Sequence, residues 1–340
     1  MAIRPSLGAL LGPLLGLPLL AGPARAEPPI LQFPLACEPG RTCFIQYYVD
    51  RDPGTGARDY TCGSRSYDGH DGTDIRLPSR AAEAGPLGVV RAAAAGTVLR
   101  GRNDAPDISV RETGLAKVAG VECGNGLVIA HPDGYETQYC HLAKGSVTLR
   151  PGTPVAAGQP IGRAGLSGAS EFPHLHFTLR RDGRTVDPFA PDAEACAPAT
   201  PSLKASLWDP ALHESLRYRA GSILDAGFAD GAVTMPAIEA EATRPPGPDP
   251  DALVAWARAI GLEAGDTQSL VLKGPDGRVL AEANDPALVR PRAQSLLFGG
   301  RKRPAGGWPP GTYTASLRVL RGGAVALERS FSVDLPAGRP

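Results

Sequence analysis

Short runs of β-branched and aromatic residues, each ended by glycine, proline or aspartate, recur along this chain of 340 residues. Such runs are typical of strands joined by turns and not of helical bundles. The 42 glycines and 35 prolines agree with a loop-rich, mainly β fold. The predicted strands are 44–49, 88–92, 96–100, 125–131, 136–141, 145–149, 154–156, 174–180, 231–242, 252–259, 268–273, 277–282, 294–298, 311–320 and 323–334.

The first 26 residues have the features of a signal peptide. Arg4 precedes a leucine-rich apolar run, and Ala24-Arg25-Ala26 supplies the small residues of a cleavage site. The run is short and broken by prolines, so we expect cleavage before Glu27 and not an uncleaved anchor. Removing these 26 of the 340 residues leaves 314. No later segment approaches the roughly 18 apolar residues of a membrane span, so we expect no stable membrane insertion after cleavage.

The charges of the mature chain are nearly balanced. Loss of Arg4 and Arg25 leaves 33 basic side chains against 35 acidic ones. A surface of this kind does not attract polyanions, so we expect no nucleic-acid partner.

The cysteines indicate an oxidising compartment. Their number is even, and in an exported chain an even number predicts disulfides. No CxxC spacing occurs, which argues against a thiolate metal site. The six positions are Cys37, Cys43, Cys62, Cys123, Cys140 and Cys196. Many pairings are open, and we favour Cys123 with Cys140 because a turn at 131–134 would fold their flanking strands together.

Changes in composition suggest two domains, as the chain length also does. Residues 27–66 form a cysteine-containing extension, 67–196 the first domain, 197–214 a proline-rich linker, and 215–340 a second domain without cysteine. Several short strands over the last 120 or so residues predict a β-sandwich of immunoglobulin-like type. Two points stay open: 101–121 reads as a long surface loop, and Pro248–Leu262 is partly helical in one interpretation.

Two clusters of polar residues point to a metal. His70 and Asp74 lie four residues apart, and His174 and His176 lie two apart, which places them on one face of a strand. Two imidazoles and a carboxylate suit zinc and leave a fourth position for water. A lone histidine is usually structural, but two spaced clusters and His141 beside a cysteine are poorly explained that way.

The region from about Gly69 to Pro188 resembles the lysostaphin-like zinc metallopeptidases, also called the LytM-domain family. Three motifs carry the resemblance: His70-Asp71-Gly72-Thr73-Asp74, Tyr139-Cys140-His141-Leu142 and His174-Leu175-His176. Glycine-containing runs around 90–98, 124–129 and 155–168 match the family as well. The resemblance covers roughly 120 residues, and it implies an antiparallel-sheet metallopeptidase domain with a substrate groove.

The resemblance implies roles for five side chains. His70, Asp74 and His176 are the implied ligands of one Zn²⁺, and His141 and His174 are the implied catalytic pair. No HExxH motif supplies a glutamate base, so a histidine must move the proton. The division of tasks between the two histidines stays open. Asp71 either orients a ligand or only shapes a turn.

The function implied by the resemblance is that of a zinc metalloendopeptidase that hydrolyses peptide cross-links of bacterial peptidoglycan. Together with the predicted signal peptide and disulfides, it predicts a periplasmic or extracellular enzyme whose partners are peptidoglycan peptides. The alternative is a non-enzymatic, wall-binding regulator of other cell-wall hydrolases. The presence of all five positions favours the enzyme. For residues 215–340, binding of wall polymer, contact with a protein partner and capping of the first domain all stay open.

Overall fold

The computed structural model describes Met1 and residues 27–198 and 202–336. The predicted signal peptide, Met1 apart, therefore lies outside the described residues. Among the residues that are described, no helix has the length and apolar character needed to cross a membrane. The first ten strands are β1 (Phe44–Tyr47), β2 (Thr73–Arg76), β3 (Val89–Arg91), β4 (Gly96–Arg102), β5 (Asn125–Ala130), β6 (Tyr135–Leu142), β7 (Pro154–Val155), β8 (Pro160–Arg163), β9 (His174–Arg181) and β10 (Arg184–Val186).

Eight of these strands form one antiparallel sheet in the order β1-β2-β9-β6-β5-β4-β7, with β10 paired to β9, while β3 and β8 form a separate pair. The alternation of β9 shows why the sheet has a polar and an apolar face. Leu175, Phe177 and Leu179 are almost fully buried in the core. His174 and His176 alternate with them along the strand and point to the opposite face. The sheet therefore presents His174 and His176 on the face away from its core.

The cysteine-containing extension is an integral part of this fold. The predicted strand at 44–49 is confirmed as β1, which pairs with β2. Upstream of it, Leu31 and Phe33 are buried in the same core, and Leu31 forms a parallel bridge with Trp208. The segment predicted as a linker, 197–214, thus contributes Trp208 and its buried neighbour Leu207 to the core, so its described part is not a free connection.

Three disulfides staple the N-terminal part of the chain. They join Cys37 to Cys43, Cys62 to Cys196, and Cys123 to Cys140. The third confirms the pairing expected from the turn at 131–134, where β5 and β6 form a hairpin.

The stretch 101–121 is less irregular than expected. β4 continues to Arg102, and two short helices precede and follow this strand: α1 (Arg80–Ala84) and α2 (Val110–Thr113). The Ser109 hydroxyl caps α2 by accepting a hydrogen bond from the Arg111 amide. The strand predicted at 145–149 is wrong, because these residues form a turn and an extended loop.

The C-terminal residues form two further antiparallel sheets. The helix is α3 (Met235–Glu239), and the strands are β11 (Ser222–Ala229), β12 (Ala252–Leu262), β13 (Thr267–Lys273), β14 (Val279–Asp285), β15 (Arg292–Lys302), β16 (Gly311–Arg321) and β17 (Ala324–Leu335). One sheet has the order β11-β12-β15 and the other β14-β13-β16-β17. They share one apolar core, with Leu253 and Leu297 from the first sheet and Leu270 and Leu317 from the second.

Two sheets around one core agree with the predicted β-sandwich, whose immunoglobulin-like type stays a prediction. The helical interpretation of Pro248–Leu262 is wrong, because β12 pairs with β11 on one side and β15 on the other. The strand predicted at 231–242 is also wrong. Here Thr234 caps the short helix α3, and Pro236 occupies its first turn, where a proline is tolerated.

Candidate metal centre and active site

Pairing of β2 with β9 builds the candidate metal centre, which consists of His70, Asp74 and His176. Asp74 lies directly opposite His176 in the ladder, and His70 sits in the turn before β2, after Gly69 with its φ of 74°. The three ligand atoms approach one another closely. His70 Nε2 is 3.2 Å from Asp74 Oδ1 and 3.2 Å from His176 Nδ1, and His176 Nδ1 is 2.9 Å from Asp74 Oδ1.

Hydrogen bonds on the far side of each ring fix its tautomer. His70 Nδ1 donates to the Tyr48 carbonyl at 2.7 Å, which leaves a lone pair on Nε2. His176 Nε2 lies 3.2 Å from Asp71 Oδ1 and donates to it, which leaves a lone pair on Nδ1. When His176 Nδ1 carries no proton, two nitrogen lone pairs and a carboxylate oxygen converge there. A proton or a metal ion between them offsets the repulsion of these acceptors.

The charges around the centre agree with a cation site. Burial would raise the pKa of Asp74, but the facing His70 and His174 hold it well below its usual range. Burial would lower the pKa of His176, but its hydrogen bonds to Asp71 and Asp74 raise it to about 9. The centre thus attracts positive charge, and a metal ion can replace the proton there.

The atomic separations also fit a metal. Ligands bound tetrahedrally at 2.0–2.1 Å lie about 3.3–3.4 Å from one another. The observed 2.9–3.2 Å between the three ligand atoms is close to that spacing. Among the described residues, these three side chains bring nitrogen and oxygen atoms close enough together to hold a metal ion.

His141 and His174, the predicted catalytic pair, lie beside the metal centre. Their ring centroids are 4.7 Å apart, and that of His141 is 5.8 Å from that of His176. His141 Nδ1 donates to the Ser167 carbonyl at 2.9 Å, and His174 Nδ1 donates to the Phe172 carbonyl at 2.8 Å. Each ring therefore keeps a lone pair on Nε2, and His174 Nε2 lies 3.7 Å from the Asp74 carboxylate.

Burial lowers the pKa of both rings of the catalytic pair, most strongly for His141, where the neighbouring His174 adds to the effect. The lowered pKa favours the neutral form of both imidazoles, which is the form that can accept a proton. His141 also has a positive φ of 62°, which is unusual for a residue with a side chain. Its amide donates to the Cys123 carbonyl at 2.8 Å, and Cys123 is bonded to the adjacent Cys140, so the disulfide supports this conformation.

A cleft of about 260 Å³ opens onto the metal centre. The Cys123–Cys140 disulfide forms part of its wall, and Tyr67 and Arg180 line it as well. It adjoins a second depression of about 280 Å³ between β4 and the 120–124 turn. Gln138 lines both and places its Nε2 3.3 Å from one sulfur atom and 3.0 Å from the other.

All five site residues singled out in the sequence come together, and three polar neighbours join them. Asp71 links the metal centre to Arg180, whose Nη2 donates to Asp71 Oδ2 at 2.7 Å. Thr178 Oγ1 lies 3.0 Å from His176 Nε2. Thr178 and Arg180 follow His176 at intervals of two residues on β9, so the alternation of the strand could have identified both.

Comparisons with known proteins agree with this geometry. Residues 68–188 match the model described as peptidase family M23. The peptidoglycan DD-endopeptidase ShyB of Vibrio cholerae is 37% identical over 101 residues, which are 28% of this chain and 23% of the relative. The DD-carboxypeptidase/endopeptidase Mpg of Neisseria meningitidis is 40% identical over 65 residues, 19% of this chain and 14% of the relative. The chain thus spans about a quarter or less of these curated relatives.

Solved structures that match part of this chain include a zinc-containing peptidase from Vibrio cholerae and the catalytic domain of lysostaphin from Staphylococcus simulans. The first is 29% identical and matches 43% of this chain and 39% of that chain, at a TM-score of 0.27. The second is 22% identical and matches 42% of this chain and 85% of that chain, also at a TM-score of 0.27.

Proposed function

We propose, from the match of residues 68–188 to the model of peptidase family M23, that the chain is an exported zinc metalloendopeptidase acting on the peptide cross-links of bacterial peptidoglycan. The observation that carries the proposal is the convergence of three lone-pair donors, from His70, Asp74 and His176, beside two neutral imidazoles. Two nitrogens and one oxygen suit Zn²⁺ and leave a position for water or substrate.

His70, Asp74 and His176 would hold the ion. Bound there, zinc would polarise the scissile carbonyl and lower the pKa of a water molecule toward about 7. The catalytic pair, His141 and His174, would move the protons. A ring whose Nδ1–H is held by a backbone carbonyl accepts a proton on Nε2, and the protonated ring can then donate it to the leaving amine or to the developing oxyanion. Either ring meets this requirement.

The proposed substrate follows from the relatives and from the shape of the site. Both curated relatives described above are named as endopeptidases, and ShyB as a peptidoglycan DD-endopeptidase. The cleft and its adjoining depression share Glu122, Cys123 and Gln138 in their walls, so an extended peptide that occupies both would pass the Cys123–Cys140 disulfide.

Export is supported by the cysteines. All six are paired, and none is free among the residues that the structure describes. Structural disulfides persist in oxidising compartments, which agrees with a periplasmic or extracellular location.

The test is incubation of the chain from Glu27 onward with purified peptidoglycan, followed by mass analysis of the released fragments. We expect new peptide amino and carboxyl ends that disappear with a chelator and return with Zn²⁺. His70→Ala, which removes a proposed ligand, is the matched inactive control. If metal-loaded protein binds the wall polymer but releases no fragments, the protein is the regulator named as the alternative and not a peptidase.

A further inference from the structure

A buried arginine lies beside His174 on the same face of the sheet. Arg76 ends β2, opposite His174 in the ladder with β9, and its side chain is fully buried. Its Nη2 donates to Glu239 Oε1 at 2.7 Å, while its Nε and Nη1 have no hydrogen-bond partner among the described residues. A buried guanidinium is costly without an opposite charge. Glu239 supplies that charge.

Arg76 reaches the active site through one aromatic ring. Its Cζ lies 4.1 Å from the centroid of Phe172, a cation–π contact in a buried setting. The same Phe172 accepts the Nδ1–H of His174 on its carbonyl and places its ring 4.7 Å from the His174 ring. The Phe172 carbonyl, with the Ser170 hydroxyl 3.2 Å from the same nitrogen, therefore directs Nε2 of His174 toward Asp74.

Glu239 comes from outside the matched residues 68–188, at the end of α3 between β11 and β12. It faces three guanidinium groups, since Arg258 Nη1 lies at 3.6 Å and Arg111 Nη1 of helix α2 at 3.8 Å. Arg258 has a second partner in Asp225, but Arg76 forms its one described ion pair with Glu239. Loss of the Glu239 charge would therefore release Arg76 more than the other two.

We propose that Glu239 is a positioning residue for the hydrolysis: by holding Arg76 against Phe172, it keeps His174 in the Nδ1–H tautomer with Nε2 toward Asp74. This rests on the proposed function. It also gives the C-terminal sheets a part in catalysis that needs no contact with substrate, because their helix α3 supplies the carboxylate.

The test compares Glu239→Gln with Glu241→Gln in the chain from Glu27 onward. Glu241 lies two residues after Glu239 and accepts a hydrogen bond from Ser79, but it does not pair with Arg76. It is therefore a matched control. With a soluble cross-linked peptidoglycan fragment, we expect kcat of Glu239→Gln to fall about 10- to 100-fold, the usual effect of losing an outer-shell partner. KM and zinc content should stay within twofold of the parent, and Glu241→Gln should keep its kcat.

A second variant covers the case in which Glu239→Gln does not fold. Arg76→Met combined with Glu239→Gln removes both charges, and replacing a buried ion pair in this way is often neutral for stability. We expect this folded double variant to be slow as well. Parental kcat in either folded variant, or an equal loss in Glu241→Gln, would overturn the proposal.

A readout that does not need activity separates this proposal from the proposed function. Imidazole ¹⁵N NMR of the zinc-loaded protein, with the signals assigned by His174→Ala, reports the tautomer of that ring. We expect one Nδ1–H tautomer in the parent and a mixture in Glu239→Gln. An unchanged tautomer would refute the role of Glu239. A parent that never hydrolyses peptidoglycan would refute the function and leave the tautomer comparison valid.

Discussion

The affinity of the metal centre should depend on Asp71, which contacts the metal site without belonging to it. Asp71 Oδ1 accepts the proton of His176 Nε2 at 3.2 Å, and its other oxygen is held by Arg180. This pairing directs the lone pair of His176 Nδ1 toward Asp74. Asp71→Asn keeps the size of the side chain but removes the charge, and its amide group can present a donor to Nε2.

The size of the effect can be worked from the contacts. Loss of an outer-shell partner weakens metal binding by about 10- to 100-fold. Two features place the effect of Asp71→Asn at the lower end of this 10- to 100-fold range. The Asp71 side chain is 45% exposed, so water screens its charge, and Thr178 Oγ1, at 3.0 Å from Nε2, offers a second acceptor. We therefore expect about a 10-fold rise in Kd for Zn²⁺, equivalent to about 1.4 kcal/mol.

The assay is a competition titration of the metal-free protein against a chromophoric chelator at neutral pH. Asp68→Asn is the control, because Asp68 is exposed in the same turn and its substitution removes the same charge. If Asp71→Asn binds Zn²⁺ within twofold of the parent, or if Asp68→Asn loses as much, the orientation of His176 by Asp71 is refuted.

Three further results are expected. His141→Ala should keep its zinc, measured by metal analysis, but lose about 10²- to 10⁴-fold in kcat, and full activity would remove His141 from the mechanism. Replacing Cys62 and Cys196 by serine should lower the free energy of unfolding in urea by up to about 5 kcal/mol, because their bond closes a loop of 134 residues; a loss below about 1 kcal/mol would contradict this. Burial raises the pKa of Glu83 from its usual 4.5 to about 7. The contribution of Glu83 to the free energy of unfolding is therefore fully present below about pH 4.5 and is lost as the pH rises through about 7. Glu83→Gln should therefore flatten this fall, worth about 3 kcal/mol, in unfolding curves from pH 4.5 to 8, and a parallel profile would refute it.

The residues of the site were predictable because their signals are local or shared with a known family. A spacing of two placed His174 and His176 on one face, and the resemblance gave distinct roles to the two rings. The sequence left two roles open for Asp71 and could not choose between them, since its contact with His176 depends on how β2 and β9 are aligned and on the reach of Arg180. That alignment is a property of the folded sheet and leaves no mark in the spacing of either segment.

The fold was predictable where strands end in clear turns, as at Gly322 and Gly323, whose positive φ values of 56° and 83° suit the tight turn between β16 and β17. The fold was not predictable where the composition of a segment favours a different secondary structure from the one that its neighbours impose. β12 is rich in alanine and leucine, which favour helices, and its pairing on both sides overrides that preference. β2 escaped prediction because half of its four residues, Asp74 and Arg76, are charged yet buried.

The bridge between Leu31 and Trp208 has a consequence for the timing of folding during synthesis. The two residues are 177 positions apart in the chain, yet they pack in the same core as the sheet that carries the metal centre. At 5–20 residues per second, about 9–35 s pass between the synthesis of the first residue and that of the second. Until Trp208 has been synthesised, the segment around Leu31 lacks the residue with which it forms this bridge. The nascent chain therefore already contains every residue of the candidate site while its core is still open, and it would need protection from aggregation during that interval.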